Sequence, residues 1–180
     1  MSFYEVDTPA VLAEKEKRLR EVGITTPRNV YRVGVDLAED WEKTLLEMTP
    51  FATEQRTLTA LLGVEYYLPR AAMEALLKRL AAITPRGSSL LFDCPMREFG
   101  TGEDAAGQQR ALAKSAGETM EQGYTLPELA LMLERHGFLI YEDMGPREIT
   151  ERFYAGYNEG HPESPVLPLP GTALVLAARH

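Results

Sequence analysis

The chain has 180 residues, 44% of them hydrophobic, and a formal net charge of −8. That is one domain's worth of sequence with enough apolar material for a sizeable core, and no apolar run approaches the roughly 18 residues of a membrane span. The acidic balance argues against nucleic acid as the main partner, because phosphate binding needs basic charge. The basic cluster Lys15–Arg20 is interleaved with Glu14, Glu16 and Glu21, the pattern of a solvated helix face. A lone cysteine, Cys94, excludes an internal disulfide and fits a reducing cytoplasm. Glu5 and Asp7 stand where the apolar segment of a signal peptide would have to be, so a cytoplasmic location is expected.

In chain order, Phe3–Asp7 predicts a strand that closes on an acid. Thr8-Pro9 then opens a helix over Ala10–Val22, with Thr8 as cap, Pro9 at the first helical position and Gly23 as stop. Asn29–Val35 predicts a second strand, running into Asp36-Leu37, and Ala38–Met48 a short helix broken by Thr49-Pro50. Thr57–Val64 has the composition of a buried strand. Pro69 starts a helix with Ala72, Met73, Ala75, Leu76, Leu80 and Ile83 at helical spacing, and Ser88–Asp93 predicts the next strand.

Pro95–Gln109 reads as a mobile loop leading into a helix near Gln109–Gln122. Thr125 caps a helix over Leu126–Arg135 that stops at Gly137, and Phe138–Tyr141 predicts a strand. Arg147–Tyr157 predicts a helix, Asn158–Pro170 a proline-rich loop and Thr172–Ala178 the last strand. Alternation of strands and helices along residues 1–180 predicts a single α/β domain, a Rossmann-like and mostly parallel sheet with helices on both faces. Ligands then bind at the carboxyl ends of the strands.

Two acids, Asp7 and Asp36, close consecutive predicted strands. In a parallel sheet both reach one crevice, where carboxylates accept hydrogen bonds from ribose hydroxyls or an adenine amine. The alternative is that each caps the following helix. Tyr66 and Tyr67 either line a substrate pocket or pack as core aromatics. Cys94 follows Asp93 at a strand end, and a buried thiol is the commoner outcome there. Gly100-Thr-Gly102 with Gly107 fits neither common phosphate fingerprint, and Glu103 and Asp104 would repel an anion. His136, His161 and His180 lack metal-ligand spacing, so no metal site is expected.

Phe-Tyr-Glu-Val-Asp-Thr-Pro at 3–9, Val-Asp-Leu at 35–37 and Leu-Gly-Val-Glu-Tyr-Tyr-Leu-Pro at 62–69 resemble, in this order, segments of the leucine carboxyl methyltransferase-like family. Gly87–Asp93, Ser115-Ala116-Gly117-Glu118 and Tyr124–Phe138 continue the similarity. That family comprises class I S-adenosylmethionine-dependent O-methyltransferases and includes enzymes assigned to polyketide biosynthesis. The resemblance implies that Asp7 holds the ribose of S-adenosylmethionine and that Asp36 and Leu37 form the adenine-side pair. It also implies a small-molecule or carboxylate-bearing acceptor.

The sequence departs from the family at two places. The family's glutamate before the glycine of its fourth-strand motif is here Leu62, and its glycine-rich loop and first strand have no counterpart before Met1. An N-terminally shortened domain with weakened cofactor binding is therefore expected. Its sheet would close by pairing the Phe3 strand with the Thr57 strand, borrow a strand from a second copy, or leave open edges. A homodimer that completes the sheet follows as an expectation, and a non-catalytic binding or assembly module is the alternative function. Transfer to a carboxylate needs chiefly orientation. A hydroxyl acceptor needs a base, for which Asp93, His136 and His161 are the candidates.

Overall fold

The computed structural model describes residues 1–37, 39–97 and 123–180. These fall into two compact units, Met1–Glu54 and Gln55–His180.

In the first unit β1 (Phe3–Asp7) and β2 (Val30–Gly34) pair in parallel, with Asp7 opposite Gly34. The crossover is α1 (Pro9–Glu21), whose cap Thr8 accepts the Val11 N–H at 3.5 Å. Position 34 suits glycine for a steric reason: a Cβ there would lie 3.3 Å from Pro9 Cγ, so the start of α1 can approach the end of β2. Apolar packing comes from Val33, Leu12 and the Trp41 and Leu45 face of α2 (Trp41–Met48). Across the pair, opposing Tyr4 and Tyr31 stack at 5.4 Å, and the Phe51 ring meets Tyr4 edge-on at 5.1 Å. Glu5 bridges Lys15 at 2.6 Å and Arg32 at 3.0 Å. Burial alone would raise the Glu5 carboxyl; the hydrogen bonds from Lys15 and Arg32 outweigh it and hold it below the usual range.

The second unit has a four-stranded sheet in the order β3-β4-β6-β5. Its strands are β3 (Leu58–Leu61), β4 (Ser89–Pro95), β5 (Phe138–Met144) and β6 (Thr172–Arg179). The β3–β4 ladder is parallel, while β6 runs antiparallel to both β4 and β5. Helix α3 (Arg70–Ile83) buries Met73, Leu76, Leu77, Leu80 and Ile83, the stripe its spacing predicts. Helix α4 (Leu126–Arg135) starts in a full capping box between Thr125 and Glu128 and buries Leu129, Met132 and Leu133. Phe92, Phe138, Leu90 and Val175 complete the core.

The α/β class and Rossmann-like character agree with the sequence, and several boundaries differ. β3 stops at Leu61 because the next residues turn: the Gly63 N–H goes to a side chain, and Glu65–Tyr67 form a 3₁₀ turn. β5 continues to Met144 through a bulge between Ile140 and Glu142. The helix predicted over Arg147–Tyr157 is three pieces, α5 (Pro146–Ile149), a π-helical turn over Thr150–Tyr154 and α6 (Ala155–Gly160). The pairings found, β1 with β2 and β3 with β4, do not include one between the Phe3 and Thr57 strands. Among the described residues β1 and β3 each have one neighbouring strand.

The predicted helix Gln109–Gln122, the loop from residue 98 onward with its Gly100-Thr-Gly102 and Gly107, the Ser115–Glu118 segment and the predicted helix start at Ala38 lie outside the described residues. Among the described residues no helix is long and apolar enough to cross a membrane.

Candidate functional site

In the first unit the parallel register carries Asp7 and Asp36 to one rim. The Asp7 carbonyl accepts the Val35 N–H at 2.8 Å, and Asp36 follows directly. Both acids are exposed and Leu37 is half-buried. The Asp7 carboxylate also accepts the Thr8 N–H at 2.7 Å, so it steadies the cap of α1 while retaining lone pairs for a ligand. The Asp36 carbonyl accepts the Glu39 N–H at 3.0 Å, closing the turn ahead of α2. Two carboxylates at the carboxyl end of a parallel pair make an acceptor set suited to hydroxyl groups of a sugar.

In the second unit the carboxyl ends of β3 and β4 hold a denser group. Asp93 accepts the Gly63 N–H at 2.7 Å, which ties the turn after β3 to the end of β4. Glu65, the first residue of the 3₁₀ turn, is 1% exposed. Tyr124 shares a hydrogen bond with it, and burial followed by the charge of Glu65 pushes the Tyr124 phenol up. Burial likewise raises the Cys94 thiol, with Glu65 and Asp93 adding to the rise. The Tyr66 hydroxyl lies 2.8 Å from Thr172 Oγ1, and burial outweighs that bond to raise the phenol. Every one of these acids therefore keeps its proton at neutral pH.

Tyr124 reaches this rim through a backbone device. Its N–H donates to the Pro95 carbonyl at 2.9 Å and its carbonyl accepts the Arg97 N–H at 2.8 Å. Gly123 permits it, since a Cβ at that position would lie 2.4 Å from the Pro95 oxygen. Over the Tyr124 ring stands the Arg70 guanidinium, 5.0 Å from the centroid. Arg97 pairs with Glu128, and Arg70 lies 3.9 Å from the same carboxylate oxygen.

The three candidate bases occupy different settings. Asp93 serves the Gly63 turn. The His136 N–H closes the end of α4 on the Leu133 carbonyl. His161 stacks on Tyr157 at 4.2 Å, with Nδ1 2.9 Å from the Tyr157 carbonyl oxygen. Tyr66 is buried and Tyr67 is 48% exposed, which splits the pair into a core residue and a surface residue. Sequence reasoning passed over Glu65, although one charge inside Gly-Val-Glu-Tyr-Tyr after an apolar strand was the available signal. Among the described residues no group of three His, Cys, Asp or Glu side chains is placed to hold a metal ion.

Residues 1–81 match the family model described as leucine carboxyl methyltransferase. This chain is leucine carboxyl methyltransferase-like. It is 30% identical over 158 residues to the "Putative S-adenosyl-L-methionine-dependent methyltransferase YktD" of Bacillus subtilis (strain 168), covering 86% of this chain and 52% of that protein. A protein of Mycolicibacterium paratuberculosis (strain ATCC BAA-968 / K-10), also named "Putative S-adenosyl-L-methionine-dependent methyltransferase", is 35% identical over 107 residues, covering 59% of this chain and 33% of the relative. The methyltransferase-like chain thus spans about half the length of the first of these relatives and a third of the second.

Among solved structures, the mitomycin 7-O-methyltransferase MmcR shares the fold at a TM-score of 0.63 with 13% identity, over 100% of this chain and 42% of that one. Human N-acetylserotonin methyltransferase, solved with S-adenosylmethionine, does so at 0.60 with 14% identity, over 99% and 40%.

Proposed function

We propose that the leucine carboxyl methyltransferase-like chain belongs to an S-adenosylmethionine-dependent O-methyltransferase, with Asp7, Asp36 and Leu37 holding the nucleoside of the cofactor. The observation that carries this reading is the parallel β1–β2 register, which brings Asp7 and Asp36 to a single rim. Ribose hydroxyls donate to carboxylates, and a half-buried leucine beside them offers apolar surface to adenine. When bound, the cofactor supplies a methyl group on a sulfonium for in-line displacement by an oxygen nucleophile. The protein's share is to hold acceptor and donor in line and to exclude water.

The acceptor in this reading is a small molecule presenting a carboxylate or hydroxyl oxygen. A second copy of the chain pairs with one of the open strand edges, giving a homodimer that light scattering on a sizing column would register as twice the monomer mass.

The direct test is calorimetric titration of the chain with S-adenosylhomocysteine, alongside Asp7→Asn and Asp36→Asn. Saturable binding that each substitution weakens supports the reading. No heat and no thermal shift at millimolar ligand would sink it.

A further inference from the structure

Burying a carboxylate is costly and uncommon, yet Glu65 is 1% exposed at the carboxyl rim of β3 and β4. Its surroundings do not supply a second ionised acid in contact with it: the phenols of Tyr66 and Tyr124 and the thiol of Cys94 all keep their protons. The nearest cation on Tyr124, the Arg70 guanidinium, lies on the ring face and leans toward Glu128, which Arg97 also engages. Glu65 is thus a negative charge set in a low-dielectric interior, where its field is weakened little by salt and reaches several ångströms. Strand carboxyl ends are where sheets of this type bind their ligands.

We propose that Glu65 is the counter-charge for a cationic sulfur ligand at this rim, favouring S-adenosylmethionine over S-adenosylhomocysteine. The two molecules differ by one methyl group and by the positive charge of the sulfonium, so a fixed negative field separates them without touching either. It steadies the charged donor, and it loses its hold once transfer leaves a neutral thioether, which promotes exchange of product for fresh donor. This role rests on the cofactor reading given above and goes beyond it, since Asp7 and Asp36 address a nucleoside that both molecules share.

The test is calorimetric titration of the full chain with each of the two molecules at one ionic strength, for the native protein, Glu65→Gln and Glu65→Asp. The quantity of interest is the ratio of the two dissociation constants. Removing the charge in Glu65→Gln shifts that ratio toward the homocysteine by about tenfold, and Glu65→Asp, which keeps the charge, restores most of it. Equal weakening of both ligands, with the ratio unchanged, means that Glu65 is structural and overturns the inference while leaving the cofactor reading intact. Absence of binding by both ligands to the native protein overturns the cofactor reading and this inference together. Should Glu65→Gln fail to fold, Tyr124→Phe decides: it strips a donor from the carboxylate but leaves the charge, so the ratio holds or moves toward the methionine, and a shift toward the homocysteine refutes the proposal.

Discussion

The Asp93 carboxylate accepts the backbone N–H of Gly63 at 2.7 Å, across thirty positions of sequence. This bond joins two neighbouring parallel strands at the end where their connecting segments leave. Asp93→Ala leaves the N–H without its partner and lowers stability by about 1 kcal/mol. Asp93→Asn keeps an amide oxygen in place and loses less than half of that. Urea unfolding measures both. The asparagine variant also separates two roles, because it preserves the acceptor and abolishes any action as a base. If Asp93 serves only to hold the turn, Asp93→Asn retains whatever methyl transfer the protein performs.

Asp7 accepts from Thr8 and, in the proposed function, from a ribose. These roles have different signatures. Loss of one ligand hydrogen bond to a charged acceptor costs about 1.5–3 kcal/mol, so Asp7→Ala weakens S-adenosylhomocysteine by about ten- to a hundredfold in calorimetry. The exposed Thr8 contact contributes less, and the thermal midpoint falls only slightly. A large drop in midpoint with unchanged affinity assigns Asp7 to the helix cap alone.

Local chemistry made most elements legible before any coordinates. Thr8-Pro9, Thr125 with Glu128, and the apolar stripe of α3 each carry their instruction within a few residues. The direction of β6 carries no such mark, because alternation of strands and helices constrains crossovers and leaves the last strand free to insert antiparallel between β4 and β5. The end of β3 was misjudged because Leu62 and Val64 continue the apolar composition past the point where Gly63 turns to Asp93. Asp7 and Asp36 were visible as acids closing strands. Glu65 was not, since its burial is created by Tyr66, Cys94 and Tyr124, of which the last two are distant in sequence.

Gly123 has no freedom to become alanine. A Cβ would sit 2.4 Å from the Pro95 carbonyl oxygen, which is backbone and accepts the Tyr124 N–H. Gly123→Ala must therefore push Tyr124 off the end of β4, at a cost of about 1–3 kcal/mol. The fluorescence of Tyr124, read against a Tyr124→Phe background, changes with it. An alanine variant with native stability and unaltered emission contradicts the close approach.

Glu128 gives the fold an acid-sensitive joint. The Thr125 N–H donates to its carboxylate at 2.9 Å and Arg97 adds a second hydrogen bond, which together hold its pKa at about 2, below the ordinary 4.5. In the unfolded chain the carboxyl returns to the ordinary value and binds a proton sooner as the pH drops. The folded state therefore has this contribution in full above pH 4.5 and loses it as the pH falls toward 2. Glu128→Gln retains an amide for the capping geometry and removes the charge, so its thermal midpoint declines less steeply than that of the native protein between those two values. Parallel melting curves taken in steps across that interval decide the matter. If the two proteins lose stability at the same rate there, the charge on Glu128 does not steady the start of α4, and the capping box works by geometry alone.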